Sequence, residues 1–199
     1  AALPGPAGWA GVVLTGSHAM VTDERPWSRA TADWLRELLR TGLPVLGICY
    51  GHQLLATAAG GRVGPCPRGR EFGTVDIHLT SAGRADPLLG PAGERFAAHT
   101  SHAQSVLRLP PGAARLAGSD LDPYHAFRAG RRAWGVQFHP EFDEAVARTY
   151  VHRTADALCR EGRDVEALLA GIAPAPASAA ILGRFAGLAA RYASEASGA

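Results

Sequence analysis

The chain contains no lysine, and all 20 of its basic residues are arginine. A Walker-type phosphate loop needs Gly-Lys-Ser/Thr and is excluded, and Gly60-Gly61-Arg62-Val63-Gly64 does not match the Gly-x-Gly-x-x-Gly of dinucleotide sites. Excess charge is also scarce. The formal net charge is +2 and no basic block exceeds Arg131-Arg132, which argues against a nucleic-acid partner. Cysteine occurs only at 49, 66 and 159, too few and too unevenly spaced for a disulfide framework, and no Cys-x-x-Cys pair suggests structural zinc. Apolar runs stay well short of the roughly 18 residues of a membrane span, and no basic-then-apolar leader opens the chain. These absences predict a cytoplasmic protein in a reducing compartment, with no membrane partner, no metal and no cofactor.

What is present is enough for one core: 199 residues, 47% of them hydrophobic. Ala10 to Leu14 reads as a buried strand ending at Thr15-Gly16-Ser17, and Trp27 to Arg40 carries apolar residues at helical spacing with Gly42 as its C-terminal cap. A second strand, Pro44 to Ile48, runs into a sharp turn and a helix over Gln53 to Ala59. From Gly73 to His139 the period changes to two, with Val75, Ile77 and Leu79 alternating and a hairpin around Ala129-Gly130-Arg131. Phe142 to Arg160 is helical again. Beyond Pro174 and Pro176, a last amphipathic helix carries Ile181, Leu182, Phe185, Leu188 and Tyr192. The alternation predicts an α/β fold with an open, mostly parallel central sheet flanked by helices and a small antiparallel section. Residues 1–160 form the main domain, and 161–199 a C-terminal helical extension packed on it.

Gly47-Ile48-Cys49-Tyr50-Gly51 places a thiol between a strand and a helix, flanked by glycines. This is the thiol form of a nucleophile elbow, where neighbouring Cβ atoms would clash in so tight a turn. The N-terminus of the following helix favours the thiolate. A lone cysteine is more often simply buried, but the glycine spacing points to catalysis. Cys66 and Cys159 lack this setting.

A thiol nucleophile needs a base and a group that orients it. His139-Pro140-Glu141 supplies both at the end of the strand Trp134 to Phe138, where α/β folds gather ligands. The other seven histidines lack a carboxylate in that position. His99-x-x-His102 has the spacing of two metal ligands, but no third adjoins it.

Pro44 to Gln53 and Gly135 to Glu141 together resemble the two signature segments of class I glutamine amidotransferases, in particular the amidotransferase domain of GMP synthase and its stand-alone relatives. The resemblance runs from Val12 to Phe142. It implies a flavodoxin-like three-layer fold and a Cys49-His139-Glu141 triad acting on L-glutamine. It further implies an oxyanion hole from Gly16, Ser17 and the Tyr50 N–H, and substrate binding by Gln53, Ser101 and His102. The ammonia released would pass to a synthase domain or subunit. The family has two glycines and a proline where this chain has Gly16-Ser17-His18, and Ala103-Gln104 stands where GMP synthases have Gly-Asp. Only about ten residues precede the oxyanion loop, so an N-terminal β-α unit of the family is expected to be missing. A γ-glutamyl hydrolase with the same triad, and a catalytically idle binding module, are the alternatives.

Overall fold

The computed structural model describes residues 3–197. Strands β1 (Val12–Leu14) and β2 (Val45–Ile48) are joined by helix α1 (Pro26–Thr41), with Pro26 in its first turn and Gly42 closing it at φ 73°. Helix α2 (Tyr50–Ala58) follows β2 after one residue. The middle of the chain forms β3 (Arg62–Pro65), β4 (Glu71–Leu79), the short α3 (Ser81–Arg84), β5 (Arg95–His102), β6 (Gln104–Arg108) and β7 (Ala114–Gly118). The hairpin β8 (Ala126–Ala129) and β9 (Ala133–Val136) leads to α4 (Glu144–Arg160), α5 (Val165–Ala170) and α6 (Pro176–Ser197). The expected hairpin is thus present.

Seven strands form one mixed sheet in the order β1-β2-β9-β8-β7-β4-β5, and β3 and β6 form a separate antiparallel pair. Parallel pairing is confined to β1-β2-β9, the section that carries the site. Every other pairing in the large sheet is antiparallel, a greater share than the sequence reading anticipated. Strand pairing between distant segments depends on register, and hydrophobic alternation does not reveal it.

Alternation along β2 and β9 builds two cores. Leu46, Ile48, Trp134 and Val136 face one side, where Ile181, Phe185 and Leu188 of α6 cover them. Val45 and Ala133 face the other, against Leu35 and Leu38 of α1 and Leu54 and Leu55 of α2. A third cluster seats α4 and α5 on Phe72 of β4 through Ala147, Val151, Leu158 and Leu169. Burying each such side chain contributes about 1.5–3 kcal/mol, so the strand ends at the β2-β9 seam are held from both faces. No helix among the described residues is long and apolar enough to cross a membrane.

Candidate active site

The register Gly47↔Gly135 and Ile48↔Val136 brings the C-terminal ends of β2 and β9 side by side. Cys49 leaves β2 at φ 50° and ψ −103°, one of two non-glycine residues with positive φ among those described. Such strain costs of order 1–3 kcal/mol and persists only when the surroundings enforce it. A Cβ on Gly47 would lie 2.4 Å from the Gly51 carbonyl oxygen, and one on Gly51 would lie 2.4 Å from the Leu14 carbonyl oxygen. Only glycine fits at either flank. The Cys49 N–H donates to the Val136 carbonyl at 2.9 Å, which locks the turn onto β9.

Three residues past β9, His139 is fixed by its own N–H, which donates to the His99 carbonyl of β5 at 2.8 Å. Its Nδ1 meets Glu141 Oε1 at 2.8 Å, and its ring stacks on Phe142 with centroids 3.9 Å apart. The orientation of the imidazole is therefore set by a carboxylate on its edge and an aromatic ring on its face. Burial alone would push the Cys49 thiol up. The positive charge of His139 and a hydrogen bond with it, helped by His102, outweigh that and hold the thiol below its ordinary value. Burial in turn opposes charge on His139, but the Cys49 thiolate and the Glu141 bond raise it to about 9. Both directions show that charge on either partner favours the opposite charge on the other, so the two groups titrate as a coupled pair.

The pair opens into a cavity of about 530 Å³ lined by the loop Thr15 to Met20, the ends of β4 and β5, and α4. Each residue singled out for the oxyanion hole lies on this wall. A Cβ on Gly16 would sit 3.1 Å from His139 Cε1, so the loop abuts the imidazole directly. Ser17 lacks a positive φ, and its hydroxyl accepts the Ala19 N–H at 3.1 Å, so its Cβ is tolerated without backbone strain. Tyr50 N–H opens α2 and has no acceptor within the helix.

Gln53, Ser101 and His102 also line the cavity, but their side chains are not equally free. Gln53 donates its amide N–H groups to the Gln104 carbonyl at 2.7 Å and to Gln137 Oε1 at 3.0 Å. Ser101 offers its carbonyl oxygen to the Cys49 thiol at 4.0 Å. His102 is engaged at both nitrogens, with Nδ1 3.0 Å from the Gln104 carbonyl and Nε2 3.1 Å from Glu71 Oε2.

That contact belongs to a cluster the sequence reading did not find. Glu71 faces His102 across the β4-β5 register, and His125 Nε2 reaches the same carboxylate oxygen at 2.5 Å. Ser119 donates to the other oxygen at 2.6 Å. The three residues are buried and their ligand atoms lie within 4.8 Å of one another, a group capable in principle of holding a metal. Both ring nitrogens of His102 face acceptors, the Gln104 carbonyl and Glu71, so a doubly protonated imidazole would be balanced by the carboxylate. Burial opposes charge on both partners, yet their mutual hydrogen bonds, with Cys66 and His125, keep Glu71 well below and His102 well above their ordinary values. His99 lies on the opposite face of β5, bonded to Thr74 Oγ1 at 3.1 Å, so the His99-x-x-His102 spacing does not bring two ligands together. Sequence reasoning also missed His18, Tyr150, Arg70 and Arg153, all on the cavity wall. Nothing but the docking of α4, the entry loop and the lead into β4 identifies them.

The family model for Glutamine amidotransferase class-I matches residues 8–155. A GMP synthase (glutamine-hydrolyzing) from Porphyromonas gingivalis is 40% identical over 136 residues, covering 68% of this chain and 25% of that protein. The chain thus spans about a quarter of the length of that relative. A gamma-glutamyl-L-1-hydroxyisopropylamide hydrolase from a Pseudomonas species is 30% identical over 159 residues, covering 76% of this chain and 54% of the relative. The crystal structure of a glutamine amidotransferase from Thermotoga maritima superposes with a TM-score of 0.66 at 23% identity, over 89% of this chain and 74% of that one.

Proposed function

The chain belongs to the class I glutamine amidotransferase family, and from that premise we propose that Cys49, His139 and Glu141 act as a triad hydrolysing the side-chain amide of L-glutamine. The observation that carries this reading is the strained Cys49 at the N-terminus of α2, beside an imidazole held 2.8 Å from Glu141. The Cys49 thiolate attacks the amide carbon. The resulting oxyanion is met by the Tyr50 N–H and an N–H of the Gly16-Ser17 turn, a contribution of about 3 kcal/mol per donor. Protonated His139 gives its proton to the departing nitrogen, so ammonia leaves and a γ-glutamyl thioester remains. Neutral His139 then takes a proton from water, whose oxygen attacks the thioester, and glutamate departs as the thiolate is restored. Glu141 keeps Nδ1–H of His139 in place throughout.

Gln53, through its amide oxygen, and the backbone around Ser101 and His102 hold the amino-acid end. In this reading residues 1–160 are the amidotransferase domain and 161–199 its helical extension. The ammonia passes to a synthase domain or subunit, as the GMP synthase relatives suggest. A second reading, hydrolysis of a substituted γ-glutamyl amide, is favoured by the cavity volume of about 530 Å³, which exceeds what one amino acid requires, and by the Pseudomonas relative.

The test is release of ammonia and glutamate from glutamine, with γ-glutamyl alkylamides as competing substrates. Release is expected from the wild type and should drop at least about 10⁴-fold in Cys49→Ala. Equal rates in the two proteins would rule the triad out, and a preference for alkylamides would select the second reading.

A further inference from the structure

Any γ-glutamyl substrate brings an α-carboxylate into the cavity, and withdrawing that charge from water is unfavourable unless donors or a cation receive it. The residues assigned to the amino-acid end do not supply a cation. Gln53 spends its N–H groups on Gln104 and Gln137, Ser101 offers an uncharged hydroxyl, and the charge on His102 is already matched by Glu71. Three other charged side chains line the cavity: Glu141, Arg70 and Arg153. Glu141 holds His139, and Arg70 donates Nε–H to Glu161 at 2.6 Å. Arg153 has no ion-pair or hydrogen-bond partner among the described residues.

Its place on α4 fits the missing role. Tyr150, Arg153 and Thr154 all line the cavity and follow i, i+3, i+4 spacing, so they share one helix face beside the core stripe of Ala147, Val151 and Leu158. The Tyr150 ring lies 6.4 Å from the His139 ring, at the reacting end. Arg153 stands about 4.5 Å further along the helix axis. In a γ-glutamyl group the α-carbon lies roughly 4 Å from the amide carbon. The axial step from Tyr150 to Arg153 is thus similar in length to the step from the scissile amide carbon to the α-carbon.

We propose that Arg153 binds the α-carboxylate of the γ-glutamyl substrate. The subsite rests on the reading of this cavity as a γ-glutamyl site, and it serves glutamine and substituted γ-glutamyl amides alike. A guanidinium suits the role because it pairs two N–H donors with the two carboxylate oxygens.

Binding separates the subsite from the chemistry. In the Cys49→Ala chain, which cannot turn over, the Kd of L-glutamine and of 4-aminobutanamide, the same molecule without the carboxylate, would be measured by calorimetry. Glutamine should bind roughly 10- to 100-fold more tightly. Adding Arg153→Gln should remove most of that advantage without changing the Kd of 4-aminobutanamide, and Arg153→Lys should retain part of it. Equal weakening of both ligands, no change in either, or no preference for glutamine before the substitution would overturn the assignment. Arg153 is exposed, so the variant should fold. Wild-type turnover reports on the triad separately. Glutamine bound through Arg153 but never hydrolysed would sink the triad and leave the subsite standing; hydrolysis with KM unchanged in Arg153→Gln would do the reverse.

Discussion

Two imidazole–carboxylate pairs lie on either side of the end of β5, and they are built differently. His139 and Glu141 are two residues apart, and Glu141 keeps a third of its side chain in solvent. His102 and Glu71 are 31 residues apart, with 1% and 4% of their side chains exposed, and the carboxylate also accepts from His125 and Ser119. In the first pair one ring nitrogen is left to face a thiol. In the second every nitrogen of His102 is occupied. The same chemical groups therefore leave one nitrogen open in the first pair and none in the second. The cost of disturbing them should fall on different measurements.

The largest effect is expected from His139→Ala. Removing the base should lower kcat/KM for glutamine about 10⁴-fold or more, while denaturant unfolding shifts by no more than about 2 kcal/mol. A comparable loss of stability and activity would mean that the two pairs are not functionally distinct.

Next is Glu71→Gln, which leaves two buried imidazoles without their carboxylate and should cost about 3–5 kcal/mol in urea unfolding. The folded-state value of Glu71 lies below its unfolded one, so its contribution is complete above the ordinary value of 4.5 and fades as pH falls. That of His102 lies above, so its contribution is complete below 6.5 and fades as pH rises. The difference between wild type and variant should be widest between these two values. A flat difference from pH 4 to pH 9 would show that the ion pair is not what Glu71 contributes.

The smallest effect is assigned to Glu141→Gln, with about a 100-fold loss in kcat/KM and little change in stability. His139 is raised to about 9 in part by this carboxylate, so wild-type activity should decline as pH passes that value and the imidazolium loses its proton. In the variant the alkaline limb should move to lower pH. An unmoved limb would assign the titration to another group.

The two pairs also differ in how far the sequence discloses them. Cys49, its glycine flanks and His139-Pro140-Glu141 are local, and their geometry follows from short-range sterics that any reader of the segment can reconstruct. Glu71, His102 and His125 meet only because β4 and β5 pair in one particular register and the β8 hairpin returns beside them. A slip of one residue would turn Glu71 to the other face. The parallel seam is legible for the same local reason as the Cys49 turn, since strand, turn and helix follow in order. The antiparallel half and the cavity wall on α4 depend on how distant elements dock, which residue pattern alone does not encode.

The register of β2 against β9 carries a further lesson about change. Cys49 and His139 are aligned by main-chain bonds and by glycines, whereas the wall opposite them consists of side chains on α4 and the entry loop. Under the proposed roles, chemistry and selectivity are thus assigned to separate inheritable parts. Substitutions along one helix face change the cavity wall while the β2-β9 seam stays fixed, so this wall is the place where divergence, natural or directed, meets the least resistance.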